Sequence, residues 1–532
     1  LNSLGIKDAL VNSTASALCI PPLQAAGIRV IALVHELPEV IRSHGLERHA
    51  RLIAERADQV VFPAEPVRDA FTRFGAVSEE RVLIRPQGLY KRNRFKASGR
   101  GQARLELTRR LCLDPAAHIV LGVGFGGHRK GFDLFVEIGI RVCSKSPRAV
   151  FIWIGMLDPS LEWEMLSRID AAGMLSHFYL PGHESDTDLF YAGADLYAMT
   201  SREDPFPSVI LEALDAGLPV IGFDGTGGFT TLRASGCVEM VPAFDVGAYA
   251  ALVEAWLENP SRRERIATQA RELIQRDFGF RRYVADLLAL SSEPPPRISV
   301  VIPNYNYRDY LPERVGSIAA QTVPVYELIV LDDGSTDGSR DWLESELDRL
   351  VPEAQLVFNT RNSGSVFEQW RRGVELARGD YVWIAEADDL AEPDFLAEVM
   401  AGLSDPAVVL SYTQSKQIDE QGQVLAEDYQ EYLEDISPTK WRHPYVAEGQ
   451  DEVRASLAIK NTIPNVSAVV FRRDVLVEVL TASIDEIKAQ RAAGDWITYV
   501  EILRHGRVAY CPRALNRHRR HGAGVTLSGF GR

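Results

Sequence analysis

The sequence predicts an α/β fold of tandem parallel sheets, and three observations carry that reading. Apolar runs rich in Val, Ile and aromatic residues alternate with amphipathic stretches of helix length, the pattern of repeated βαβ units. Two of these runs end on clustered carboxylates, ELIVLDDGSTDGS at 327–339 and YVWIAEADD at 381–389. Acidic strand tips in a parallel sheet lie where such sheets bind ligands. Between the halves, SSEPPP at 291–296 interrupts the pattern, because three consecutive prolines cannot continue a helix and favour an extended linker.

The elements follow in order. In residues 1–95, IRVIALVHE (28–36), ADQVVFPAE (57–65) and RVLIRPQG (81–88) read as strands. Three strands make only part of a doubly wound domain, and the chain opens on Leu1 rather than Met, so further sequence upstream is expected. A second sheet follows from HIVLGVG (118–124), AVFIWIG (149–155), HFYLPG (177–182), DLYAMT (195–200) and LPVIGFD (218–224). A third follows from RISVVIP (297–303), ELIVLDD (327–333), AQLVFN (354–359) and DYVWIAE (380–386). The expected division is an incomplete Rossmann-like domain at 1–95, a second at 96–290, the linker at 291–296 and a separate α/β domain at 297–532.

Composition narrows the function. At 532 residues the chain is too long for one core, and 46% hydrophobic with 25% charged residues is ordinary for a globular protein. A net charge of -15 lacks the basic footprint of a general nucleic-acid binder. The five cysteines are scattered, odd in number and without CxxC spacing, so reduced thiols are expected, with neither a disulfide frame nor a zinc site. No apolar run reaches the ~18 residues that a membrane-spanning helix needs. A cytoplasmic protein is expected, with peripheral contact at the inner face of the cytoplasmic membrane as the variant reading.

The strand tips of the second half suit one chemistry. Moving a sugar from a nucleoside diphosphate requires neutralisation of the leaving diphosphate, acceptors for base and ribose, and a base for the incoming hydroxyl. Asp332 and Asp333 end the second strand of this half, and Gly334 permits a tight turn there. Glu386, Asp388 and Asp389 end the fourth and can hold a hard divalent cation.

VVIPNYN (300–306), LDDGSTD (331–337), the NSG turn (362–364) and the EADD cluster together resemble the inverting GT-A glycosyltransferases of family two, over about residues 297–525. The resemblance implies that Pro303, Asn306 and Asp332 line the nucleotide pocket, with Asp333 beside them. It implies that Asp388 contacts Mg2+ or Mn2+, with Glu386 in the first acidic position. Gly494-Asp495-Trp496 is similar to the family's acidic motif beside the acceptor, which makes Asp495 the catalytic base. RRHGAGVT (519–526) is similar to its RxH segment, which places His521 near metal and diphosphate. Asn465 and Ser467, in NTIPNVSAVVFRR (461–473), match a segment bordering the acceptor. The sequence departs from the pattern at three places. Glu386 stands for Asp, Gly494 stands for Glu, and EQWRRG (368–373) leaves the diphosphate-side Arg open between Arg371 and Arg372.

The first half has its own signal in SREDPFPSVILEALDAGLPVIGFD (201–224). Asp204 and Glu212 could share a helix face only if the segment were helical throughout, and Pro205 and Pro207 forbid that. Asp204 therefore belongs to a loop and Glu212 to the following helix, whose N-terminal amides near Ser208 suit phosphate without a metal. This D-x7-E pattern, with VGFGGHRKGFDLF (123–135), resembles retaining GT-B glycosyltransferases of family four over about residues 80–285. The resemblance implies that Lys130 neutralises the diphosphate, Glu212 accepts from the ribose and Asp204 contacts the donor sugar, with no cofactor. Phe125 stands where the family has Arg, and Arg129 is the candidate replacement. His35-Glu36, at a strand end, faces the acceptor on one reading and forms a plain strand-end turn on the other.

The expectation is a two-site glycosyltransferase that uses UDP-, dTDP- or GDP-sugars. Its acceptor would be a growing or lipid-linked glycan, as in O-antigen or similar surface polysaccharides. The rival from another class makes the first half a glycan-binding or scaffolding module. A nucleotidyltransferase would need a glycine-rich, lysine-containing loop after the first GT-A strand, and VVIPNYNYRDY has none.

Overall fold

The computed structural model describes residues 5–95, 99–351, 353–490 and 493–520. The chain folds as two compact units, Leu1–Pro294 and Pro295–Arg532.

The first unit contains two parallel sheets. Strands β1 (Asp8–Asn12), β2 (Arg29–Leu33), β3 (Gln59–Phe62) and β4 (Val82–Ile84) lie side by side in that order. The other sheet comprises β5 (His118–Val123), β6 (Ala149–Ile154), β7 (Phe178–Gly182), β8 (Leu196–Met199), β9 (Val220–Phe223) and β10 (Val238–Val241). Its spatial order is β10-β9-β8-β5-β6-β7. Strands β6, β8 and β9 are buried along their whole length, as parallel strands covered on both faces must be.

Sequence reasoning missed β1 and β10. DALVN and VEMV are too short to carry a period, and they become strands because β2 and β9 offer them a parallel ladder.

Chain order and packing part company at the end of this unit. Helix Phe280–Leu288 sets Tyr283 and Leu287 against Ile31, Leu33 and Val61 of the first sheet. Arg85 pairs with Asp286 at 2.8 Å, and the Ser292 amide donates to Asp8 at 3.0 Å. Gly88 permits the crossing, since a Cβ there would lie 2.5 Å from the Phe280 Cα.

The second unit has one mixed sheet. Its strands are β11 (Ile298–Asn304), β12 (Glu327–Asp332), β13 (Gln355–Phe358), β14 (Tyr381–Ile384), β15 (Leu390–Ala391), β16 (Val408–Ile418), β17 (Val424–Ala426), β18 (Tyr445–Glu448), β19 (Val469–Arg472) and β20 (Arg507–Arg519). The order is β13-β12-β11-β14-β19-β16-β20-β15, with β17 on β16 and β18 on β20. Strands β11 to β14 pair in parallel, and β19 joins β14 antiparallel.

Strand β20 had no sequence signal. RVAYCPRALNRHR is basic and contains a proline, yet it pairs along β16. The register jumps from Thr413–Cys511 to Gln414–Ala514, so Pro512 and Arg513 fall in an irregularity where a missing N–H is tolerated.

Candidate active sites

In the first unit the strand order reverses between β5 and β8, which opens a crevice at their carboxyl ends. The loop after β5 brings Lys130 to this point, and the loop after β8 brings Asp204. Their side chains pair at 2.5 Å and are 16% and 5% exposed. Gly131 lets the loops meet. Its φ of 71° is left-handed, and a Cβ would lie 2.0 Å from the Thr200 carbonyl. The Asp204 backbone is tied on both sides, donating to Thr226 at 3.0 Å and accepting from Gly228 at 3.1 Å.

Arg129 reinforces the same loop by donating to the Glu203 carbonyl at 3.0 Å. The Glu203 carboxylate accepts the Glu39 amide of the first sheet's helix Pro38–Ser43 at 3.2 Å. Helix Ser208–Asp215 begins after Pro207, so Asp204 lies in the loop and Glu212 inside the helix.

Glu212 lines a cavity of about 260 Å³ with Tyr90, Lys91, His183, Asp188 and Tyr191. Burial pushes its carboxyl above the usual range. Tyr90 donates to it at 3.4 Å, and Lys91 pairs with Asp188 at 2.9 Å. At the end of β2, Glu36 accepts from the Thr14 amide at 3.1 Å and its hydroxyl at 2.6 Å. It clamps the turn after β1, and its contacts are those of a strand-end turn.

In the second unit the order reverses between β11 and β14, and the expected residues gather at the carboxyl ends of β11, β12 and β14. Asp332 accepts from the Asn304 side chain at 2.7 Å and the Ser335 amide at 3.0 Å. Pro303 is buried within β11 opposite Leu331. Asn306 has a φ of 59°, receives the Thr336 amide at 2.8 Å and donates its own amide to Ser335 at 2.9 Å. It fastens the end of β11 to the DDGST turn.

Three further candidates make contacts that support the site's turns. Asp333, expected beside the nucleotide, accepts from Asn359, Ser363 and Gln369 at 2.5–3.0 Å. It anchors the 359–365 turn. Asn465 and Ser467, expected beside the acceptor, are buried against the acidic turn. Asn465 donates to Asp389 at 2.6 Å, and the Ser467 hydroxyl accepts the Glu386 amide at 3.0 Å. Both residues hold the turn, because satisfying a buried carboxylate takes donors from the strands behind it.

In the acidic turn Asp389 is buried, whereas Glu386 and Asp388 are half-buried. Glu386 accepts from the Trp370 indole at 2.9 Å, and burial with Asp388 nearby pushes its carboxyl up to about 8. Burial raises the Asp389 carboxyl as well. Asp388 stays partly exposed, its carbonyl fixed by Arg519 at 2.8 Å. Behind the turn Arg314 is fully buried and stacked 4.8 Å from the Trp383 ring. Burial lowers its guanidinium to about 10 against the pull of the three carboxylates. Sequence reasoning passed over Arg314, although one arginine on the apolar face of LPERVGSI was a signal.

Asp495 lies in the first turn of helix Gly494–Ile502, with Asn461 donating to it at 3.3 Å. Burial raises its carboxyl. Arg371 pairs with Glu368 and Glu375, whereas Arg372 donates to Asn359 next to the Asp333 network. His521 lies outside the described residues. Among the described residues no three His, Cys, Asp or Glu side chains converge as a metal cage. The half-buried Asp388 still fits Mg2+ or Mn2+ in such a site, because these ions use one or two carboxylates plus substrate phosphates and keep water.

Two switch-point crevices, each carrying acidic residues and countercharges, stand where parallel α/β sheets bind ligands. The comparisons make this specific. Residues 108–273 match the model for "Glycosyl transferases group 1", and residues 299–476 match "Glycosyl transferase family 2". The chain is therefore a glycosyltransferase in which a GT-B-like module precedes a GT-A-like one.

It is 28% identical over 216 residues to the putative teichuronic acid biosynthesis glycosyltransferase TuaG of Bacillus subtilis (strain 168), covering 40% of this chain and 75% of that protein. It is 36% identical over 107 residues to a PGL/p-HBAD biosynthesis glycosyltransferase of Mycobacterium bovis (BCG), covering 20% of this chain and 41% of that one. Among solved structures, Anabaena HepE in complex with UDP aligns with a TM-score of 0.48 and 19% identity, covering 53% of this chain and 78% of that one.

Proposed function

We propose that the two crevices are separate donor sites that transfer sugars from nucleoside diphosphates to one growing glycan. The observation that carries this is their different charge design. The first crevice meets a diphosphate with Lys130, Arg129 and the helix end at Ser208. The second offers Asp388 on an acidic turn and needs a cation between carboxylate and diphosphate. The class of acceptor rests on a relative named for teichuronic acid biosynthesis.

In the second crevice Asp388 would hold Mg2+ or Mn2+, which when bound neutralises the leaving diphosphate. Asp495 takes the proton of the acceptor hydroxyl as the new glycosidic bond forms and the bond to diphosphate breaks, so the anomeric centre inverts. Burial keeps Asp495 basic enough for that role. Asp332 and Asn306 fix the loop that borders the nucleotide.

In the first crevice Asp204 faces the donor sugar, Glu212 accepts from its ribose, and retention is the expected outcome. A second reading, in which only the GT-A half is catalytic, draws on Glu36. Its acceptor positions are filled by the turn after β1, so the first sheet offers no acceptor-side base there.

Donor hydrolysis and transfer by the full chain test both readings. Asp204→Ala should remove one activity and Asp388→Ala the other. Unchanged turnover in both variants would remove the two-site model, and loss in Asp388→Ala alone would favour the second reading.

A further inference from the structure

The cavity beside Glu212 has an unusual lining. Its carboxylate receives no cation among the described residues. The nearest, Lys91, is paired with Asp188, which also accepts the Arg94 amide at 3.2 Å. Two phenols face Glu212 instead. Tyr191 is 1% exposed, and its hydroxyl makes no well-formed hydrogen bond among the described residues. Tyr90 is 64% exposed and donates to Glu212 at 3.4 Å, close to the limit of a hydrogen bond.

A carboxylate can only accept, so this cavity suits a ligand that presents hydroxyls. At about 260 Å³ it is smaller than the ~300–1,000 Å³ of a pocket for a whole drug-sized ligand. One sugar ring with its base is the right scale. The two phenols differ in freedom. Tyr191 is wedged in helix Thr187–Gly193, whereas Tyr90 projects an exposed ring just past the buried Leu89.

We propose that Tyr90 is a placeholder whose hydroxyl fills an acceptor position of Glu212 in the empty site and yields it to the ribose of a nucleoside diphosphate. Tyr90 thereby sets donor affinity in the first unit. This rests on the reading of that unit as a nucleotide-sugar site. The long, weak contact makes displacement easy, and the exposed ring can swing out without disturbing the core.

The test is calorimetric titration of the full chain with UDP, GDP and dTDP in buffer containing chelator, which removes metal-dependent binding by the second unit. Tyr90→Phe keeps the ring and removes the hydroxyl. It should bind the preferred nucleotide about two- to tenfold more tightly than wild type, the scale of one modest hydrogen bond. The 2′,3′-dideoxy form of that nucleotide should bind both proteins equally. Glu212→Gln should weaken binding and erase the difference between Tyr and Phe at position 90. Equal or weaker nucleotide binding by Tyr90→Phe would overturn the placeholder role while leaving the donor site intact. Failure of every nucleotide to bind wild type and variant alike would overturn the donor reading and the proposal with it.

Discussion

The Lys130–Asp204 pair allows a quantitative test of the first crevice. Its partners come from loops 74 residues apart, meet at 2.5 Å and are almost fully buried. Removing one partner of a buried pair leaves an uncompensated charge, which costs about 3–5 kcal/mol. Asp204→Ala should therefore destabilise the first unit by that amount. At about 2 °C per kcal/mol for a body of this size, its transition should fall by about 6–10 °C. Lys130→Met with Asp204→Ala removes both charges and should recover a large part of the loss, so the two effects are strongly non-additive. Calorimetric scans of the full chain supply the measurement, and hydrogen exchange on peptides from 118–241 assigns the affected transition. A nucleoside diphosphate in chelator should stabilise Asp204→Ala more than wild type, because its phosphates give Lys130 a new partner. A fall of less than about 2 °C, or additive single and double variants, would refute the claim that this pair is a coupled element.

Four further outcomes follow from the same reasoning. Chelation or Asp388→Ala should abolish Mn2+ binding, read by titration of the full chain, together with one transfer activity, and spare the other. Asp495→Asn should lower kcat of the metal-dependent activity by about 10²–10⁴-fold with circular dichroism unchanged. Since burial raises the Asp495 carboxyl, the acid limb of that activity should lie above the ordinary Asp range, and an acid limb at or below that range would refute the assignment. Asp333→Ala should act on stability rather than on donor affinity, costing about 1–3 kcal/mol, because it removes the acceptor that Asn359 and Ser363 share with Gln369, which stays buried. Glu386, raised from 4.5 to about 8 in the fold, binds its proton more tightly folded than unfolded. Its stabilising share is full below about pH 4.5 and is lost as pH climbs towards 8, so Glu386→Gln should flatten denaturant-derived stability across that window.

The parts that were legible share a property: they repeat along the chain. Hydrophobic runs ending on Asp332 or Asp388 declare parallel strands with acidic tips, and prolines 205 and 207 declare that Asp204 precedes the helix holding Glu212. Residues whose role depends on what packs behind them were not legible. Asp333 resembles Asp332 in sequence, yet one turns into the 359–365 turn and the other towards Asn304. Asn465 and Ser467 stand out in sequence only through the motif segment that holds them, and their burial against the acidic turn makes them its supports. β20 was invisible for the same reason, and Arg314 left only the signal of its apolar helix face, since an arginine in a core and a basic strand are tolerated only where distant partners neutralise or pair them.

Taken alone, the amino-acid order determined the class of the fold, the two motif-bearing segments and the loop-or-helix setting of most acidic candidates, because these follow from local period, proline and glycine. Tertiary structure decided which carboxylates meet solvent, which meet Lys130 or Trp370, and which are filled by neighbours. The reason is physical: a carboxylate's charge state and free lone pairs depend on burial and donors within a few ångströms, and those donors arrive from segments far apart in the chain.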